Sequence, residues 1–340
     1  MVRGVSQADL ALIAQLTERG LRASPSQLER WRAVGLLPKP FVTRLGNAGS
    51  SSSYPPSAAG IAVALARHAN HRRSPAELAV LLLVDGLPVS DEVLVSAVRQ
   101  LVGRFVAEAD KHGLATPAPG EDVLGEAEAL AAKEAARGGE HVRRMRRNLR
   151  THPPPQTTSD NRDAVLEGSL TTMFRLLLGE LPENDDSLRE LLHALGSNGI
   201  FETAPGANGP VADRDVGSLR PGLQAMSVDT LTATAAAATA QQLRASAAFV
   251  VPLMRALGQV PPPFAYYVGQ PDGITFDPAD AKTVAALAVA WLPLWAVTPD
   301  SDPASVLQTL ANVGAMTAEE AATAIAAATF LRQNPIPSPD

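Results

Sequence analysis

The chain has 340 residues, 46% of them hydrophobic, which is ample for a buried core and long enough for two domains. It has no cysteine, which excludes disulfides, thiolate metal sites and cysteine-based redox sensing. Its net charge of −6 is unevenly spread: residues 1–80 carry Arg3, Arg19, Arg22, Arg30, Arg32, Lys39, Arg44, Arg67, Arg72 and Arg73 against Asp9, Glu18, Glu29 and Glu77, about +6, leaving about −12 for the remainder, so phosphate contact is expected at one end only.

The first helix is expected over 9–18, with Leu10, Ile13, Ala14 and Leu16 apolar and Gly20 just past its end. After the turn LRAS, Ser24 reads as an N-cap, Pro25 as the first helical residue and Gln27 as the partner in an S-x-x-Q capping box. Leu28 and Trp31 share a face, Trp31 being read as a core anchor. Gly35 ends this second helix, and Pro38 and Pro40 forbid its continuation. FVTRLGNAGSSSSYPP (41–56) puts two extended arms around a Gly/Asn/Ser tip, a β-hairpin pattern. A third helix is expected over 58–70. A fourth opens on Ser74, Pro75 and Glu77, a second capping box, and closes at Gly86.

Residues 89–113 read as a long amphipathic helix, with Val93, Leu94, Val98, Leu101, Val102 and Phe105 at helical spacing. Another runs from about 123 to 150 and ends in HVRRMRRNLR. The Pro-rich stretch THPPPQTTSDNR (151–162) is the clearest linker. Beyond it helices are expected near 162–180, 186–197, 226–258, 278–297, 303–313 and 317–332, with a long loop over 203–222 and a sharp turn at PPPF (261–264). The longest nearly uncharged run, TVAALAVAWLPLWAVT (283–298), is shorter than the ~20 residues of a membrane span and is broken by Pro293, so it reads as a core helix. The N-terminal segment shows no secretory leader pattern, and a cytoplasmic, nucleoid-associated protein is the expectation.

Helix, turn, capped helix, two-stranded wing and two further helices is a winged helix-turn-helix order. With LERWRAVGLLPKP, TRLGNAGSSSSYP and ANHRRSPAELAVLLLVDG it resembles the N-terminal domain of MerR-type transcriptional regulators over about residues 5–86, a quarter of the chain. In that family the second helix enters the major groove, and the pattern Leu-Arg-Tyr-Tyr-Glu precedes Gly-Leu-Leu. Here those places hold Leu28, Glu29, Arg30, Trp31 and Arg32, so the contact of the family's first arginine does not carry over to Glu29. Tyr54 and Arg44 match a wing tyrosine and a wing arginine. The resemblance also implies dimerisation through the following helix, here 89–113, although its apolar spacing departs from a strict heptad.

The physical chemistry of these residues suits double-stranded DNA. Ser24, Ser26 and Gln27 stand at a helix N-terminus, whose free N–H groups suit a phosphate. Arg30 and Arg32 can read guanine or clamp phosphate. Lys39, Arg44, Tyr54, Arg67, Arg72 and Arg73 complete the candidate contacts, which position the protein on the backbone.

Competing features read as structural. His68 and His71 have a possible metal spacing but no further ligand, so no metal and no cofactor is assigned. Arg143, Arg144, Arg146, Arg147 and Arg150, flanked by His141 and His152, complement a helix C-terminus, the rival readings being a second DNA-backbone contact or a salt-bridged partner for an acidic helix. Phe264, Tyr266, Tyr267, Trp291 and Trp295 read as core fillers rather than a ligand pocket. ENDD (183–186) precedes a helix, where carboxylates are favoured. There is no G-x-S-x-G elbow, P-loop or H-E-x-x-H, so an enzyme is not expected.

The expected fold is mainly α: a winged helix-turn-helix over 1–86 with a small β-hairpin wing, a helical connector over 87–151, a linker over 152–162 and an all-helical C-terminal domain over 163–340 that takes a small-molecule or protein effector or another copy of the chain. The expected function is sequence-specific DNA binding in transcriptional regulation by a homodimer. The rivals are an architectural, excisionase-like DNA-binding protein and an adaptor whose winged head binds protein, which Glu29 in the second helix would favour.

Overall fold

The computed structural model describes residues 6–44, 50–69, 73–111, 122–138, 142–143, 146, 158–181, 227–259, 281–297, 307, 311–312 and 316–336. These are mainly helical, with one two-stranded antiparallel sheet. The helix read at 186–197, the loop at 203–222, the turn at 261–264 and most of the helix at 303–313 lie outside the described residues.

The first two helices begin where their caps dictate. Helix α1 (Gln7–Glu18) starts after Ser6, whose hydroxyl accepts from the Asp9 amide at 3.1 Å. Helix α2 (Pro25–Ala33) has the full capping box: the Ser24 hydroxyl accepts from the Gln27 amide at 3.2 Å and the Gln27 side chain accepts from the Ser24 amide at 2.8 Å. At its far end the amides of Leu36 and Leu37 both donate to the Trp31 carbonyl, at 2.8 and 3.1 Å. That closure needs Gly35 at φ +76°. A Cβ there would stand 2.9 Å from the Val93 side chain, so glycine also permits the turn to approach the following long helix.

Strands β1 (Phe41–Arg44) and β2 (Ser50–Ser53) pair in the register Phe41↔Ser53 to Arg44↔Ser50. Strand β2 packs on α1, and all four residues of β1 are exposed. Helix α3 (Ser57–His68) follows. Helix α4 (Pro75–Val84) opens on the expected Ser74–Glu77 box.

Helix α5 (Asp91–Lys111) buries Leu94, Ala97, Val98, Leu101 and Val102. Its partners are α4 and three helices far along the chain: α8 (Val228–Ala237), α9 (Ala240–Gln259) and α10 (Ala281–Val297). Helix α11 (Ala318–Gln333), capped by Thr317 with Glu320, packs on α9 and α10. One buried apolar cluster therefore runs from Leu12, Leu28 and Trp31 through α3–α5 to Leu243, Val289 and Leu331. The helix expected over 89–113, the candidate for dimerisation, packs its apolar side against helices of its own chain.

Polar bonds reinforce that packing. Arg99 on α5 donates to the Ala235 and Ala236 carbonyls at 3.1 and 2.5 Å, at the C-terminal end of α8. Arg244 on α9 donates to the Val89 carbonyl at 2.8 Å and to Asp91 at 2.6 Å. Arg255 reaches the carbonyl of Val84, the last residue of α4, at 3.4 Å. At the ends of α8 and α4 the terminal carbonyls lack intrahelical partners, and the Arg99 and Arg255 cations there also complement the helix dipoles. Between α9 and α10, the fully buried Ser246 hydroxyl donates to the Ala288 carbonyl at 2.6 Å.

A second, smaller cluster joins α6 (Val123–Arg137) and α7 (Arg162–Leu177) through Ala127, Ala131, Leu166, Leu170 and Phe174. The single helix expected over 123–150 instead ends at Gly138, which is left-handed at φ +62°. Arg146 lies beyond that end, donating to the Ala135 carbonyl at 3.3 Å and standing 3.6 Å from Asp163. The helix expected over 226–258 is likewise two. Ala238 is extended, and Thr239 starts α9 by accepting from the Gln242 amide at 3.3 Å. The T-x-x-Q box at 239–242 ended one helix and began another inside an Ala-rich run that favours helix throughout.

Candidate nucleic-acid interface

The two arginines of α2 part company. Arg32 lies four residues after Leu28, on the inner stripe of the helix. It is ion-paired to Asp9 and hydrogen-bonded to the Tyr54 hydroxyl. That hydroxyl donates to Asp9 Oδ1 at 2.7 Å, closing a three-residue cluster. Asp9 is only 5% exposed. The cluster joins α1, α2 and the residue that follows β2, so it sets the hairpin's attitude to the helix.

Electrostatics follow the geometry. Burial pushes the Asp9 carboxyl upward, but hydrogen bonds from Arg32, Tyr54 and Ser6 and the Arg32 charge outweigh it and hold the pKa below the ordinary carboxylate value. Burial and the bond to the Asp9 carboxylate push the Tyr54 hydroxyl up to about 12. The Arg32 guanidinium, despite burial, is raised by the same carboxylate. At neutral pH the cluster therefore holds one cation, one anion and one neutral phenol.

A depressed carboxylate pKa carries a definite sign. Asp9 contributes stability that is fully present above its unfolded value and is lost as pH falls through its lower folded value. Acid titration of the melting temperature should therefore show a loss beginning below about pH 4 that Asp9→Asn flattens. An unchanged slope in that variant would remove Asp9 from the acid response.

Arg30, by contrast, is exposed, as are Ser26, Glu29 and Ala33 on the outer side of the same helix. Lys39, Arg44 and Arg67 are exposed on the segments that follow. Ser24, Ser26 and Gln27 hold one another: the Ser24 and Ser26 hydroxyls are 2.9 Å apart, beside the capping box. Arg73 is turned to the protein. It can only donate, so His68 Nδ1 accepts from it at 3.2 Å and His68 Nε2 carries its proton to Asp85 at 2.8 Å. Arg72 and His71 lie outside the described residues, as do His141, Arg144, Arg147, Arg150, His152, Phe264, Tyr266, Tyr267 and the side chains of Trp291 and Trp295.

Between Glu29 and Glu77 the chain has no Asp or Glu, while it carries Arg30, Arg32, Lys39, Arg44, Arg67, Arg72 and Arg73. This stretch spans most of α2, the hairpin, α3 and the entry to α4. Asp9 reaches it from α1 and neutralises Arg32, leaving Arg30, Lys39, Arg44 and Arg67 facing solvent.

Sequence reasoning passed over Asp9. The signal was there: Asp9, Leu12 and Leu16 occupy one stripe of α1, and a carboxylate on an apolar stripe calls for a buried cation. A groove of about 580 Å³ runs beside the cluster between α1 and the end of β2, lined by Gln7, Ala11, Gln15, Ser52, Ser53 and Pro55. Among the described residues no group of three His, Asp or Glu side chains could hold a metal, and no helix is long and apolar enough to cross a membrane.

Comparison with protein-family models, characterised proteins and solved structures finds no match to the chain.

Proposed function

We propose that this chain binds double-stranded DNA through a winged helix-turn-helix formed by α1–α4 and the hairpin, and acts as a MerR-like transcriptional regulator. The observation that carries the reading is the carboxylate-free stretch between Glu29 and Glu77, whose exposed cations Arg30, Lys39, Arg44 and Arg67 lie on successive elements of a chain that is acidic elsewhere. Such a distribution suits a polyanion that must be met at one end of the molecule. The roles differ by position. Arg30 on the outer face of α2 is the base-reading candidate, and Lys39, Arg44 and Arg67 are phosphate contacts. Arg32 and Tyr54 serve by aiming α2 and the hairpin.

Selection from a random DNA pool with the full-length protein tests this. An enriched motif is the expected result. Arg30→Ala should then weaken the selected site by ~1–3 kcal/mol and relax preference at one position. Lys39→Ala and Arg44→Ala should each weaken all sequences alike and lower the salt slope by about 1. Retention of no DNA at low salt would overturn the reading in favour of a protein-binding head.

A further inference from the structure

Strand β1 offers more than cations. All four of its residues are exposed, Phe41 and Val42 at 64% each. Adjacent residues of a strand project to opposite faces, so each face of the hairpin carries one large apolar side chain. Their cross-strand neighbours, Ser53 and Ser52, are too small to cover them. Among the described residues the sheet has two strands, so β1 has β2 along one edge and no strand along the other. In an antiparallel pair alternate residues turn both backbone groups away from the partner, so two of the four residues of β1 present N–H and C=O outward. Lys39 before the strand and Arg44 at its end are exposed, within the stretch from Glu29 to Glu77 that holds no other Asp or Glu. A phosphate backbone can use the two cations, but it has no use for the apolar pair or for an open strand edge.

We propose that β1 is a docking edge for an acidic partner protein, which adds an extended segment to the hairpin as a third strand. Main-chain hydrogen bonds along the open edge supply the attachment, and side chains on both faces set partner and register. The fitting segment is read from the edge: a carboxylate at each end, against Arg44 and Lys39, and two β-branched residues between them, against Val42 and Phe41. A second copy of this chain fits worse. Pairing two β1 strands antiparallel over the same span sets the cation at each end against a cation of the other copy, and like charges directly opposite are destabilising. The proposal goes beyond the DNA reading and does not require it. Where both hold, partner and duplex compete for Lys39 and Arg44, so docking takes the head off DNA.

The test uses the full chain at low salt and a labelled peptide containing Glu-Thr-Val-Val-Thr-Glu, with fluorescence anisotropy as the readout. Saturable binding is expected, and the same peptide with lysine for both glutamates should bind at least tenfold more weakly. Phe41→Ser with Val42→Ser should keep the wild-type melting temperature, since both positions are exposed, and lose peptide affinity by tenfold or more. Lys39→Ala with Arg44→Ala should lose at least threefold. Two N-methylated peptides that block alternate amides should part, one losing tenfold or more and the other staying within about threefold, because only one set of amides faces the edge. Equal behaviour of the two overturns strand addition, as does affinity unchanged in the serine variant. No binding of the parent peptide to wild type overturns the proposal outright. If wild type sediments as a dimer and the serine variant as a monomer, a second copy holds the edge and the acidic partner is wrong. Peptide binding is measured without DNA, so failure here and failure of the DNA reading are told apart.

Discussion

Arg32→Ala is expected to destabilise the folded chain by about 2–4 kcal/mol, the larger of the two α2 arginine effects by far. The substitution strands the Asp9 carboxylate in a site where it is 5% exposed, and removing one partner of a buried pair typically costs ~3–5 kcal/mol. The lower figure allows for the residual exposure of Arg32, 18% for its side chain. A melting temperature lowered by roughly 5–15 °C is the readout. Arg30→Ala, two residues away and exposed, should change stability by no more than ~0.5 kcal/mol. Replacing the whole cluster at once, with Asp9→Leu, Arg32→Leu and Tyr54→Phe, should recover most of the loss, because no charge is then left unpaired. A melting temperature for Arg32→Ala equal to wild type would show that the cluster contributes nothing. Loss of DNA binding in that variant would therefore report a misaimed helix, whereas loss in Arg30→Ala would report a missing contact.

Ending the chain at residue 113 should have the second large effect. Helix α5 keeps its contacts with α4 but loses those with α8, α9 and α10, which together with α4 bury Leu94, Val98, Leu101 and Val102. Those side chains are at most 2% exposed in the full chain. Each buried aliphatic of this size contributes ~1.5–3 kcal/mol when fully covered. Uncovering about half of the area of the four costs ~3–6 kcal/mol, a large share of the stability of a typical domain, about 5–15 kcal/mol. The shortened chain should either melt at least ~10 °C lower than the full chain or self-associate through α5. Sedimentation with thermal melting distinguishes the two. A monomer as stable as the full chain would mean that the distant helices contribute no cover of consequence. Self-association would show that pairing of two copies through α5 and intramolecular covering compete for one face.

Local structure was legible wherever a side chain contacts its own backbone. Ser24 with Gln27, and Ser74 with Glu77, mark two helix starts within one residue. Gly35 marks an end, and the Gly/Asn/Ser tip implies the strand pair around it. Caps are short-range, so four consecutive residues contain the whole interaction. The same chemistry at Thr239–Gln242 went unread because the alanines on both sides favour helix equally and hide the break.

What the sequence by itself determined, then, is the helical class, the hairpin, the capped starts and the basic head on an acidic body, since each follows from neighbours along the chain. The four-residue spacing of Leu28 and Arg32 carried a signal that Arg32 faces inward, but both arginines of α2 read as DNA contacts. Only the tertiary structure decided that Asp9, Arg32 and Tyr54 meet, because that contact joins residues 23 and 45 positions apart. It alone decided that α5 is covered by helices more than a hundred residues away. Apolar periodicity specifies that a face will be buried but not by what: burial is non-directional, and a partner helix from the same chain or from a second copy satisfies the pattern equally.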